Sequence, residues 1–181
     1  MEMTKQERVE RVIICIIFAL YILLLFKILF ISRVSINDIF DSSREVRRTF
    51  NLVPFQSINN YLSVGMQGFS VGNVLGNFIL FMPLGVYLPL LKKDKRVSTN
   101  MFYIFIATVL VEALQWTLGI GAADIDDVIL NFSGGFIGIL GYKLFHWMFK
   151  GEGGAQTAVF VLSIMGLPLI LYLLFAINMV F

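Results

Sequence analysis

The chain is poor in the residues from which most catalytic and metal centres are made. It has one cysteine, Cys15, and one histidine, His146, so neither a disulfide framework nor a Cys/His zinc site can be built within it. Charged residues make up only 14% of the 181, and the formal net charge is +2. The basic residues cluster in short connections instead of forming a stripe, which gives no basis for nucleic-acid binding. What is abundant is apolar: 58% of the residues are hydrophobic and the mean hydropathy is +0.84, well beyond soluble domains. These values identify a multi-pass membrane protein.

Apolar runs of roughly the 20 residues needed to cross a bilayer occur at Val12–Ser32, Ser70–Leu91, Met101–Leu118, Val128–Phe149 and Thr157–Phe181. The predicted fold is therefore all-α, a polytopic membrane bundle of about five transmembrane helices, forming one membrane domain over residues 1–181. Lys5, Arg8 and Arg11 precede the first run, but it is too long for a signal peptide and no small-x-small cleavage pattern follows. It reads as a retained leading helix, 12–32. Gly166 and Pro168 interrupt the last run, so 157–181 is either a spanning helix or a re-entrant hairpin.

Basic residues also orient the chain. With the amino terminus in the cytoplasm, Lys5, Arg8, Arg11, Lys92, Lys93, Lys95, Arg96, Lys143 and Lys150 fall inside, against Arg33, Arg44, Arg47 and Arg48 outside, as the positive-inside rule requires. The sizeable non-membrane segment is then the outer Arg33–Phe69 stretch. Within it Pro54 biases Val53 toward extended backbone, so Leu52 and Phe55 are expected on a short turn or strand at a surface.

Against this apolar background the acidic and amide groups stand out, because ionisable residues at membrane depth are costly and are retained for a reason. Asp124-Ile-Asp-Asp-Val-Ile-Leu-Asn131 places three carboxylates and an amide at the start of the fourth run. At 3.6 residues per turn, Asp124, Asp127, Asn131, Gly134, Gly135 and Gly138 share one side, while Asp126 points elsewhere. Glu112 and Gln115 lie with Thr108 and Gly119 on one stripe of the third run, and Asn73 and Asn77 with Gly76 on the second. Rise per residue puts Glu112 and Asn77 each ~10 Å from the outer end of its helix, and Asn131 ~6 Å below Asp127. Lys27 falls at comparable depth, either as a counter-charge to Glu112 or as a snorkelling side chain. The candidate ligand-binding set is Glu112, Gln115, Asp124, Asp127, Asn131, Asn77, Asn73 and Lys27.

Each group has a plainer explanation as well. Glu112 is either a ligand-facing or proton-handling carboxyl or a structural lock between helices. The aspartates cap a helix start and complement its dipole, or Asp124, Asp126 and Asp127 offer oxygen ligands to a divalent cation, although their spacing matches no established metal loop. No other cofactor is expected. His146 lies at the far end of the fourth span, which rules out a Ser/His/Asp relay with those aspartates. Trp116, Tyr87 and Tyr103 read as aromatic-belt residues near span ends, Cys15 as apolar filler, and the glycines as helix-packing surface.

In order and spacing, Asn51-Leu-Val-Pro-Phe55, Gly76-Asn-Phe-Ile-Leu-Phe-Met-Pro-Leu-Gly85, Glu112-Ala-Leu-Gln115 and the aspartate motif with Gly134 and Gly135 resemble the VanZ-like family. The match covers about 51–142. Many family sequences carry a basic residue just ahead of the aspartates, where this chain has Gly121-Ala-Ala123. The resemblance implies a small multi-pass protein of the bacterial cell membrane, with a cell-envelope role and low-level resistance to teicoplanin-type lipoglycopeptides. It supplies no reaction. Three function classes fit: an accessory protein whose outward cleft engages a membrane lipid, a lipid-linked wall precursor or the lipoglycopeptide; an enzyme modifying a lipid headgroup; and a proton-coupled transporter using Glu112.

Overall fold

The computed structural model describes residues 4–33, 49–63, 69–92 and 94–176, with the backbone alone for 60–63 and 69–73. The order is α1 (Lys5–Leu29), a 3-10 turn (Ile31–Arg33), β1 (Phe50–Asn51), α2 (Gln56–Ser63), α3 (Phe69–Leu91), α4 (Val97–Thr117), β2 (Ala123–Asp124), α5 (Ile125–Met148) and α6 (Glu152–Ala176). Among the described residues, five helices are long and apolar enough to span a membrane. The protein is a polytopic helical bundle.

Helix ends extend beyond the apolar runs where polar groups cap them. α1 begins at Lys5 because Thr4 and Glu7 form a reciprocal capping box, which satisfies orphan amides at the helix start. α6 begins at Glu152, and its course from there to Ala176 is one continuous helix with Pro168 inside it. It is ~37 Å long at 1.5 Å per residue, so this segment is a spanning helix and not a hairpin.

Two parallel helix pairs organise the bundle. On α1 and α6, Thr157 donates to Glu10 and Lys27 donates to the Leu174 carbonyl, both across a separation of 147 residues. A constant offset along both helices means that they run in the same direction. On α3 and α5, a Cβ at Gly134 would collide with the Phe78 carbonyl, one at Gly138 with the Met82 carbonyl, and one at Gly85 with the Gly135 carbonyl. Small residues let the two backbones touch, as lipid-embedded helices require where packing rather than water exclusion drives association. The glycines are packing surface.

α3 carries Pro83 and Pro89 within it. Pro83 has no N–H to offer the Ile79 carbonyl, and the Tyr21 hydroxyl donates to the next carbonyl, that of Leu80, at 2.5 Å. Tyr87 follows one turn later, 6% exposed, with its hydroxyl 2.8 Å from Ser163 Oγ on α6. It packs on Phe18 and Tyr21 of α1. Tyr87 is thus an interior residue joining three helices, contrary to the aromatic-belt expectation. Proximity to a span end along the sequence does not tell which face a tyrosine occupies. Tyr103 is exposed, with Lys92 Nζ 3.0 Å over its ring, as an interfacial aromatic would be.

The start of α1, the 92–96 connection and the 149–151 turn gather at one end, where Arg11 donates to the Leu91 carbonyl and Gln156 to the Glu7 carbonyl. In that connection the Arg96 guanidinium holds the Asp94 carboxyl well below the usual carboxylate range. The acidic motif lies at the opposite end.

The glycine seam makes a direct prediction. Gly138→Ala should destabilise detergent-solubilised protein by about 3 kcal/mol or more, since the methyl group meets backbone that cannot rotate away. Gly141→Ala, on the same helix with nothing within 4 Å of the added carbon, should leave the thermal midpoint unchanged.

Candidate functional site

The extramembrane chain returns to lie beside the acidic motif. β1 and β2 pair in parallel, Phe50 against Ala123 and Asn51 against Asp124, and the Ala123 amide donates to the Thr49 carbonyl at 3.1 Å. The Phe50 ring sits 4.9 Å from that of Trp116 at the end of α4. After β1 the chain turns at Val53-Pro54-Phe55-Gln56, with the Gln56 amide donating to the Val53 carbonyl at 3.3 Å. Phe55 has φ +64°, the left-handed value needed at the third position of a type II turn, where glycine is usual. Leu52, Val53 and Phe55 are all more than half exposed.

Asp126 holds that strained turn. One carboxylate oxygen accepts the Phe55 amide at 2.5 Å, and the other accepts the Ser57 and Ile58 amides at 2.8 and 3.1 Å. These are the orphan donors at the start of α2, so a side chain of α5 caps a helix some 70 residues away in sequence. Asp124 complements it: its oxygens accept from the Ser57 hydroxyl at 2.5 Å, from Asn51 Nδ2 at 3.2 Å and from the Asp126 amide at 2.9 Å, the last being the N-cap of α5. Asp126 is 1% exposed. The helical-face argument set Asp126 apart from the cluster, and in the fold it is the carboxylate that joins loop to membrane domain. The signal was present as Asn51-Leu-Val-Pro-Phe55, whose left-handed turn needs an anchor.

Glu112 approaches the same motif from α4. It is 6% exposed, and its carboxylate accepts the Asp124 amide at 3.1 Å. One turn on, Gln115 Nε2 donates to the Leu29 carbonyl at 2.9 Å, tying the end of α1 to α4. The Gln115 and Asn131 side chains are each 1% exposed, and their amide oxygens have no hydrogen-bond partner among the described residues. Buried acceptors without donors are costly and mark places to look for a ligand or water. Asn131 lies one turn before Gly134, which touches Phe78, so buried Asn77 lies at nearly the same level. Asp127 is half-buried in the first turn of α5.

Two candidates stand apart. Lys27 is buried and donates to the Leu174 carbonyl, which makes it a tie between α1 and α6; it neither snorkels to solvent nor needs a second role to be accommodated. Asn73 has its backbone in α3, but its side chain lies outside the described residues, as do Arg44, Arg47 and Arg48. As for a cation, no group of three or more His, Cys, Asp or Glu side chains among the described residues is placed to hold one. The Asp124 and Asp126 oxygens face N–H and O–H donors, which is the chemistry of an anion clasp and not of a metal ligand set.

Removing the clasp should release the loop. Asp126→Asn replaces one acceptor oxygen with an amide NH2, a donor facing N–H groups, and hydrogen bonds to a charged acceptor contribute roughly 1.5–3 kcal/mol each. Hydrogen exchange at Phe55, Ser57 and Ile58 is expected to accelerate at least about tenfold in that variant, while Asp127→Asn leaves these amides protected.

The residues so assembled fall within a recognised family. The family model for VanZ/LLP1 matches residues 18–146, from the middle of α1 to nearly the end of α5. The chain is 30% identical over 127 residues to Protein VanZ of Enterococcus faecium, covering 70% of this chain and 71% of that protein. No solved structure matches the chain. With the match running through the glycine seam, Glu112 and the aspartate clasp together, the chain belongs to the VanZ/LLP1 family.

Proposed function

We propose that this protein is a non-catalytic accessory of the bacterial cell envelope, in which the acidic end of the bundle faces outward and engages an amphiphile. The ligand is a membrane lipid, a lipid-linked wall precursor or the acyl-bearing part of a lipoglycopeptide, and the associated phenotype is low-level resistance of the teicoplanin type. The observation that carries this reading is the meeting of Glu112 with the Asp124 amide, together with the buried amide oxygens of Gln115 and Asn131, which have no hydrogen-bond partner among the described residues. Polar groups of this kind within the membrane domain are suited to a headgroup or sugar. The exposed Leu52, Val53 and Phe55 beside them offer an apolar surface for an acyl chain. An enzyme working through a bound cation is less well supported, since the Asp124 and Asp126 oxygens already face protein donors.

The orientation rests on the basic residues gathered at the end that carries the start of α1. In a Cys15→Ser background, a membrane-impermeant thiol reagent applied to intact cells should label Leu52→Cys and leave Asp94→Cys unmodified. The opposite pattern would invert the protein.

Function and packing separate by charge removal. Glu112→Gln and Asp127→Asn keep size and some hydrogen bonding, so each is expected to abolish lipoglycopeptide protection with membrane abundance unchanged by quantitative immunoblot. Full protection in both variants would leave these groups with a structural role only.

A further inference from the structure

At the end of the bundle opposite the acidic motif, a cavity of about 540 Å³ lies where α1, the end of α3, α5 and the start of α6 meet. Its polar lining includes Arg11, Lys95, Lys150, Glu7, Glu152 and Tyr142. Lys95 Nζ stands 3.8 Å from a Glu152 oxygen and 5.7 Å from the centre of the Tyr142 ring. Arg11 donates to the Leu91 carbonyl at 3.0 Å and Lys95 to the Leu90 carbonyl at 3.4 Å, so both cations complement the negative end of α3. Tyr142 is 3% exposed, and its hydroxyl has no hydrogen-bond partner among the described residues. A buried hydroxyl without a partner is unfavourable unless something fills the space it faces.

Arg11 also adjoins an exposed face of α1 that carries Arg8, Val12, Cys15, Ile16 and Ala19. Below the two arginines this face is apolar. From Val12 to Ala19 it runs ~11 Å at 1.5 Å per residue, within the depth of one leaflet. A cavity lined by cations beside an apolar helix face open to lipid suits a phospholipid.

We propose that this end of the protein binds an anionic phospholipid with a polyol headgroup. Its phosphate sits among Arg11, Lys95, Lys150 and the Tyr142 hydroxyl, its headgroup hydroxyls donate to Glu152, and one acyl chain lies along the exposed apolar face of α1. Phosphate recognition by several cations and a hydroxyl donor follows from charge-assisted hydrogen bonding. One Glu7 carboxylate oxygen accepts from the Thr4 amide and hydroxyl, and the other lies beside Gly153 at the start of α6. Burial also lowers the Lys95 pKa, with Glu152 partly offsetting it, and a bound phosphate supplies the stronger counter-charge.

Native mass spectrometry of the full chain in detergent tests this with three added probes: phosphatidylglycerol, diacylglycerol and soluble glycerol phosphate. Phosphatidylglycerol should be retained in preference to diacylglycerol, and a tenfold excess of glycerol phosphate should not displace it. Tyr142→Phe, which preserves packing, and Lys150→Gln, on an exposed turn, should each weaken retention by about tenfold. Tyr172→Phe, an exposed ring toward the far end of α6, should leave it intact. Equal retention of both lipids, or variants indistinguishable from the parent, would overturn the site. Displacement by glycerol phosphate would overturn the lipid assignment and leave a site for soluble phosphates.

Discussion

One buried carboxylate, Asp126, makes three of the hydrogen bonds that hold the extramembrane chain to the membrane domain. Asp126 stands at the start of α5, where the helix dipole favours negative charge, and its two oxygens accept the three amides that open α2. That contact fixes the turn containing Phe55 and brings Ser57 and Asn51 onto Asp124. It also sets the short parallel ladder that presents the Asp124 amide to Glu112. Without an anion at this position the turn would lose its compensation for a left-handed phenylalanine, and four segments distant in sequence would lose their common point.

Below the clasp the bundle is organised by close approach rather than bulk. α3 and α5 meet through glycines at Gly85, Gly134 and Gly138, and polar ties join the remaining helices: Tyr21 to Leu80, Tyr87 to Ser163, Gln115 to Leu29 and Lys27 to Leu174. Three of these four end on backbone carbonyls. In hydrocarbon a hydroxyl, amide or ammonium group must find an acceptor within the protein, so each such residue both relieves its own desolvation and fixes a neighbouring helix. Among the described residues the two ends of the bundle then differ in character, one gathering carboxylates and amides and the other gathering arginine and lysine interspersed with glutamate.

Much of the fold is legible along the chain. Hydrophobic runs of membrane length announce the five spanning helices, because a bilayer imposes a minimum apolar length that few other environments demand. The glycine face of α5 follows from spacing alone. So does the suspicion attached to Glu112 and the aspartates, since ionisable groups in apolar runs have few inexpensive explanations. The start of α1 at Lys5 is displaced from the run boundary because a capping box, not hydropathy, begins that helix.

What the sequence by itself determined is a matter of local periodicity and transfer energy: the class of protein, the number of spans, and which polar residues are out of place. Pairing was decided by tertiary structure. Nothing local distinguishes Asp126, which grips a loop some 70 residues earlier, from Asp127 beside it. Nothing local makes Tyr87 an interior link or Lys27 a tie to α6, nor brings Arg11, Lys95 and Tyr142 to one cavity. Each of these depends on which helix faces which, and that is settled by backbone contact at glycines and by hydrogen bonds closing long loops, interactions whose partners are far apart in the chain.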